Sequence, residues 1–86
     1  MPAISRFLGI VIAMYYNDHA PPHFHARYGE HEALYQIDDL VIYAGELPKR
    51  SNAMVLEWAE LHQDALKLNW DKARAGEPLD PIPPLE

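Results

Sequence analysis

The first half of the chain consists of short apolar segments separated by turn residues, a pattern that predicts β-strands. Residues 7–15, FLGIVIAMY, are apolar on both alternations, which predicts a single strand that is covered on both faces or central in its sheet. Further strands are predicted over 23–28, 31–37 and 40–44, the last of them ending at Gly45. We therefore expect a small antiparallel sheet of three to four strands.

The second and third predicted strands are joined by Gly29-Glu30, and a two-residue connector with glycine first suits a type II′ hairpin. This turn sets Tyr28 opposite His31 and fixes the rest of the register, in which opposed residues share a face of the sheet. One face is predicted to be apolar and to meet a helix: Phe24, Ala26, Tyr28, Ala33, Tyr35 and Ile37. The other face is predicted to be solvated: His23, His25, Arg27, Glu32, Leu34 and Gln36.

Charged residues in the second half recur every three or four positions between two apolar flanks, which predicts an amphipathic helix. Pro48 or Ser51 marks its start and Gly76 marks its end. One continuous helix of this length would span about 37 Å at 1.5 Å per residue, as long as a whole domain of this size. We therefore expect either a long helix that bends or two helices that meet near His62-Gln63.

These elements predict an α+β fold in which the sheet is packed by one long bent helix or by two C-terminal helices. A chain of 86 residues is expected to form a single domain, 1–86. Its β-rich part is predicted over 1–45, its helical part over 46–76, and an extended proline-rich tail over 77–86.

Composition narrows the classes of function. The chain has no cysteine, which excludes disulfides, thiolate metal sites and a cysteine nucleophile. The net charge is −6 and Lys49-Arg50 is the only adjacent basic pair, so direct DNA binding is disfavoured, while RNA stays open as an enzyme's substrate. The N-terminal apolar run is shorter than the about 20 residues that span a bilayer and has no signal cleavage site. We therefore expect a cytoplasmic protein without a membrane segment.

Four of the five histidines fall within residues 17–33, NDHAPPHFHARYGEHEA. His23 and His25 are predicted to stand side by side on a strand, about 6.8 Å apart. The two prolines of the APP segment stiffen the preceding loop, which would return His19 toward them. Asp18 would then be a fourth ligand or a hydrogen-bond partner of a ligand. The segment thus predicts a three-imidazole site that could hold a divalent metal such as zinc.

Two other interpretations of this segment stay open. The histidines could form a metal-free working surface, in which two imidazoles divide the roles of general acid and general base. They could also be structural, with a His–Asp hydrogen bond that fixes the loop. The sequence does not decide whether the Ala20-Pro21 or Pro21-Pro22 bond is cis, which changes where the loop points. The candidate catalytic residues are His19, His23, His25, Asp18 and Arg27.

Several segments of the chain together carry a family resemblance. They are MPAISRFLGIVIAMYYNDHAPPHFHARYGE, GELPKR, VLEWAELHQ, NWDKARAGEPL and the final IPPL. The whole chain resembles a bacterial family known as domain of unknown function 4160. The most specific part of this resemblance is DHAPPHFHARYGE, which is present without a gap. The motif residues map onto Asp18, His19, Pro21, Pro22, His23, His25 and Tyr28.

This resemblance implies no established activity. It implies an association with a second small family of unknown function, number 2442, which is often encoded beside it in pairs suspected to be toxin–antitoxin-like modules. We therefore expect one component of a two-gene module, which binds the neighbouring gene's protein product, a second copy of itself, or both. The alternative is a metal-dependent or His acid–base hydrolase, such as a ribonuclease, and the third class is a purely structural accessory protein.

Overall fold

The computed structural model describes residues 3–86. They form a five-stranded antiparallel sheet, two helices and an extended tail. The elements are β1 (Ala3–Phe7), β2 (Ile10–Ala13), β3 (His23–Tyr28), β4 (His31–Gln36), β5 (Ile42–Glu46), α1 (Lys49–Leu61) and α2 (Gln63–Ala75). The strands lie side by side in chain order, each antiparallel to the next. The α+β class is confirmed, with one strand more than the upper number expected.

The prediction of a single strand over residues 7–15 is wrong. The segment folds back at Leu8-Gly9, so that Phe7 of β1 lies opposite Ile10 of β2. Leu8 has a φ of 51° and Gly9 a φ of 82°, as the two central residues of a type I′ turn require. Asparagine or aspartate usually occupies the first of these positions, so a leucine there hides the turn inside an apolar run.

The hairpin between β3 and β4 has the predicted connector and register. Gly29 has a φ of 59°, the conformation needed at the first central position of a type II′ turn. The six opposed pairs are His23–Gln36, Phe24–Tyr35, His25–Leu34, Ala26–Ala33, Arg27–Glu32 and Tyr28–His31. Strand β4 ends at Gln36, one residue earlier than predicted.

The last strand is shifted from its predicted range of 40–44 and continues through Gly45 instead of ending there. Gly45 has a φ of 73°, and a Cβ at this position would overlap the carbonyl oxygen of Glu32 on β4. The glycine is therefore required by the close approach of two strands and does not terminate the strand.

The helical half consists of two helices that meet at His62. This confirms the predicted alternative of two helices over that of one long bent helix. Gly76 ends α2 in the left-handed conformation, with a φ of 76°. The N–H of Glu77 donates to the carbonyl of Lys72 at 2.9 Å and the N–H of Gly76 to that of Ala73 at 3.3 Å, a Schellman motif. Among residues 3–86 there is no helix long and apolar enough to cross a membrane.

The core lies between one face of the sheet and the two helices. The rings of Phe24 and Tyr35 stack with centroids 5.2 Å apart, and Trp58 of α1 packs edge-on against Phe24. The predicted apolar face is fully buried except for Tyr28, which is 39% exposed at the end of β3. The burial of the other five residues confirms the alternation read from the hairpin.

The C-terminal tail is extended, as predicted, and is held by polar contacts as well as by apolar packing. The buried Asn69 side chain donates to the carbonyl of Asp80 and accepts from its N–H, both at 2.9 Å. The N–H of Ile82 donates to the carbonyl of Ile4 on β1 at 2.8 Å, and the Ile82 side chain is buried in the core. The tail is therefore part of the folded domain.

Candidate metal centre

Within the histidine segment, His23 and His25 lie in the first half of β3, and Asp18 and His19 lie in the loop that leads into it. His23 and His25 are two positions apart on the strand and so lie on one face of the sheet. The loop from β2 carries Asp18 back over this face, and its Ala20-Pro21 bond is cis. Pro22 is the last residue of the loop. The N–H of Ile37 donates a 3.0 Å hydrogen bond to the carbonyl of Pro22 and so connects the loop to the end of β4.

The prediction of a solvated face is wrong at His23, whose side chain is 1% exposed. Its ring lies against Trp70 of α2 and Tyr43 of β5, each with centroids 5.2 Å away. Tyr15 packs edge-on against His25 at 4.6 Å, and the His25 side chain is 14% exposed. The contacts of these aromatic residues with the histidines were not predicted, because no local pattern in the sequence links them.

Three side chains bring ligand atoms together at this point. The Oδ2 atom of Asp18 lies 3.0 Å from Nε2 of His23 and 3.2 Å from Nε2 of His25. The three ligand atoms all lie within 4.8 Å of one another. Ligand atoms around a tetrahedral zinc ion with bonds of 2.0–2.1 Å are about 3.3 Å apart. The two distances to Asp18 are therefore close to those of a coordination sphere.

The second ring nitrogen of each histidine faces an oxygen that can only accept a hydrogen bond. Nδ1 of His23 lies 2.8 Å from the carbonyl of Pro21, and Nδ1 of His25 lies 3.3 Å from Oε2 of Glu32 on β4. A proton on Nδ1 satisfies each of these contacts. In a neutral imidazole that proton leaves Nε2 with a lone pair, which is the form that binds a metal.

The Nε2 atom of His23 is buried and has no hydrogen-bond partner among the described residues. Asp18 Oδ2 lies 3.0 Å away, but outside hydrogen-bonding alignment. His25 faces carboxylate oxygens on both sides, from Asp18 and from Glu32. Without a cation, both rings would need two protons each to avoid setting a lone pair against an oxygen. One divalent ion between Asp18 and the two Nε2 atoms removes both conflicts.

The carboxyl group of Asp18 is held in its charged form. Partial burial acts to raise its pKa, but the His19 N–H donates to it, and the His23 and His25 rings, when protonated, add favourable charge and a hydrogen bond from His25. The combined effect lowers the pKa of Asp18 below its ordinary value of 3.8. A charged carboxylate beside two imidazoles is a ligand set that zinc and other divalent transition metals accept.

Two of the predicted site residues lie outside this group. His19 is exposed, and its backbone N–H donates to Oδ1 of Asp18 at 2.8 Å, while its imidazole is not among the clustered ligand atoms. The structure thus brings together Asp18, His23 and His25 where three imidazoles were predicted. Arg27 is exposed on the same face of β3, directly opposite Glu32.

A family model described as Domain of unknown function (DUF4160) matches residues 9–71. The chain belongs to this family. The matched region includes the three clustered ligands and Glu32, so the whole group lies within the DUF4160 domain. No curated protein and no solved structure matches the chain. The family description states no activity, so any function rests on the geometry of the site.

Proposed function

We propose that this DUF4160 protein binds one divalent transition-metal ion through Asp18, His23 and His25 and uses it to hydrolyse a substrate. The observation that carries the proposal is the Nε2 atom of His23, which is buried 3.0 Å from the Asp18 carboxylate and has no hydrogen-bond partner within residues 3–86. A buried polar atom without a partner costs about 1–3 kcal/mol, and a metal ion offers that partner.

The number of ligands supports hydrolysis. Three protein ligands leave at least one position for water, and a zinc-bound water has a pKa of about 7. The resulting hydroxide would attack a carbonyl or phosphoryl centre, whose leaving group would depart with a proton. RNA is the substrate class we would assay first. Arg27 lies about 6.8 Å beyond His25 along the same face of β3, where a guanidinium suits a phosphate.

A zinc titration of untagged, chelator-treated protein tests the proposal. The wild type should bind about one equivalent, and Asp18→Asn and His25→Gln should bind at least 100-fold more weakly while retaining the circular dichroism of the fold. His19→Ala is the matched control, because its imidazole lies outside the group, and it should bind like the wild type. Equal binding by the wild type and Asp18→Asn would contradict the proposed ligand set.

The catalytic part needs a separate assay. Ribonuclease and esterase activities should require added metal and should be lost in His25→Gln but not in His19→Ala. An activity that persists with chelator present would overturn metal-dependent hydrolysis and would favour the acid–base alternative. Metal binding without hydrolysis of any tested substrate would limit the proposal to the metal centre.

We also propose that the protein works in the cytoplasm as one component of a toxin–antitoxin-like two-gene module. The family resemblance suggests this role, and an exposed apolar surface at the far end of β3, which includes Leu8 and Tyr28, supports it. Co-expression with the neighbouring gene should yield a complex that survives size-exclusion chromatography. Separate elution of the two proteins under the same conditions would contradict this second proposal.

A further inference from the structure

A groove of about 320 Å³ lies between the β1–β2 turn and the start of α1. Its apolar wall consists of Leu8, Tyr28, Pro48 and Met54. Tyr28 and His23 occupy opposite ends of β3, about 16 Å apart along the strand, so the groove is separate from the candidate metal centre. Any function of the groove is therefore open to test on its own.

Leu8 is an unusual residue for its position. It is 63% exposed and has a φ of 51°, a left-handed conformation that is unfavourable for a leucine. Asparagine in the same turn would relieve the strain and remove an apolar side chain from water. A leucine that is both strained and mostly exposed buries little apolar surface within the chain, which points to a contact outside it.

The polar end of the groove is positive. Arg50 lines it, and Lys49 precedes Arg50 at the start of α1. Neither side chain has an ion-pair partner among the described residues, although the chain as a whole carries a net charge of −6. The first turn of α1 has no acidic residue and no side-chain cap. The partial positive charge at the N-terminus of the helix therefore adds to the charge of the two cations.

We propose that this groove binds an acidic segment of a partner protein that inserts a large apolar side chain. The apolar side chain would pack on Leu8, Tyr28 and Met54, while the flanking carboxylates would pair with Arg50 and Lys49. Charge complementarity selects this occupant, because a basic segment would meet two unpaired cations. The inference deepens the proposed two-gene module by naming the surface and the chemistry of the partner.

The test uses a labelled acidic probe peptide, DELFED, with ¹⁵N-labelled full-length protein. We expect amide shifts confined to the groove and binding at least tenfold weaker in Arg50→Glu and in Leu8→Asn. Arg74→Glu and Leu68→Gln are matched controls, because these residues are exposed on α2 away from the groove, and both should bind like the wild type. The peptides DESSED and KRLFRK should bind at least tenfold more weakly than DELFED.

Several results would overturn the inference. Equal binding of DELFED and KRLFRK would contradict the argument from charge complementarity. Amide shifts outside the groove would show that the peptide binds elsewhere. A dimer in light scattering that Leu8→Asn disrupts would identify a second copy of the chain as the occupant. A neighbouring-gene complex that survives both Leu8→Asn and Arg50→Glu would retain the two-gene module and reject this surface. DELFED binding without such a complex would support the groove and reject the module.

Discussion

The two ends of strand β3 depart from the usual distribution of residues in opposite ways. At its start, His23 is a polar side chain that is 1% exposed, and at its end Tyr28 is 39% exposed beside Leu8. Between them, Phe24 and Ala26 are fully buried in an apolar core. A buried polar group and an exposed apolar surface are both informative, because burial of apolar groups and exposure of polar groups is the usual arrangement. The comparison separates a candidate site for an ion from a candidate surface for a protein.

The largest effect is expected at the buried end of β3. His23→Ala removes a buried ring and a metal ligand, so it should cost about 2–4 kcal/mol of stability and abolish the stabilisation by zinc. At a free zinc concentration of 100 Kd, the wild type should gain about 2.7 kcal/mol. Thermal unfolding with and without zinc measures both terms. A zinc-dependent rise in Tm that is unchanged in His23→Ala would contradict the role of this ligand.

A smaller effect is expected from the carboxylate behind His25. Glu32 accepts from Nδ1 of His25, so Glu32→Gln should weaken zinc binding by about 10–100-fold, or about 1.4–2.7 kcal/mol, without removing a ligand. Glu30→Gln in the adjacent turn is the matched control and should bind like the wild type. A competition titration measures the ratio. Equal affinities for Glu32→Gln and Glu30→Gln would show that Glu32 does not position the ring.

Tyr35 in the middle of the sheet belongs to neither candidate site and provides a test of core burial alone. Burial raises the pKa of Tyr35 from 10.0 to about 12, because the charged form is disfavoured in the core. The stabilisation by neutral Tyr35 is complete below about pH 10 and is lost between about pH 10 and 12, by up to about 3 kcal/mol. Urea unfolding across this range should show a steeper loss in the wild type than in Tyr35→Phe. Parallel losses would contradict this assignment.

The smallest effect is expected at the exposed end of β3. Leu8→Asn should leave the protein as stable as the wild type or raise its stability by up to about 1 kcal/mol, because asparagine tolerates the left-handed turn. The same variant should lose affinity for the acidic probe peptide. Urea unfolding gives the stability. A clear loss of stability would mean that Leu8 serves the fold, and it would weaken the contrast between the two ends.

Much of the fold could be predicted because local signals agree with the tertiary structure. Gly29-Glu30 fixes a turn, and the alternation on either side of it fixes which residues of β3 and β4 share a face. Gly76 likewise ends α2 in the conformation that glycine favours. The Leu8-Gly9 turn could not be predicted, because a leucine occupies the position at which asparagine or aspartate usually indicates a turn.

The site could be predicted only in part. The alternation of β3 places His23 and His25 together, but the direction of side chains in the preceding irregular loop does not follow from periodicity. The loop directs the Asp18 carboxylate at the two rings and leaves His19 exposed. The burial of His23 depends on Trp70 and Tyr43, which reach it from distant parts of the chain.

The most direct measurement is the metal content of untagged protein, purified without chelators and analysed by plasma mass spectrometry beside Asp18→Asn and His19→Ala. The proposed ligand set predicts about one equivalent of a divalent transition metal in the wild type and in His19→Ala, and almost none in Asp18→Asn. Metal retained by Asp18→Asn but lost from His19→Ala would contradict this set and favour three imidazoles. A wild type without metal, even after incubation with zinc, would reject a metal centre.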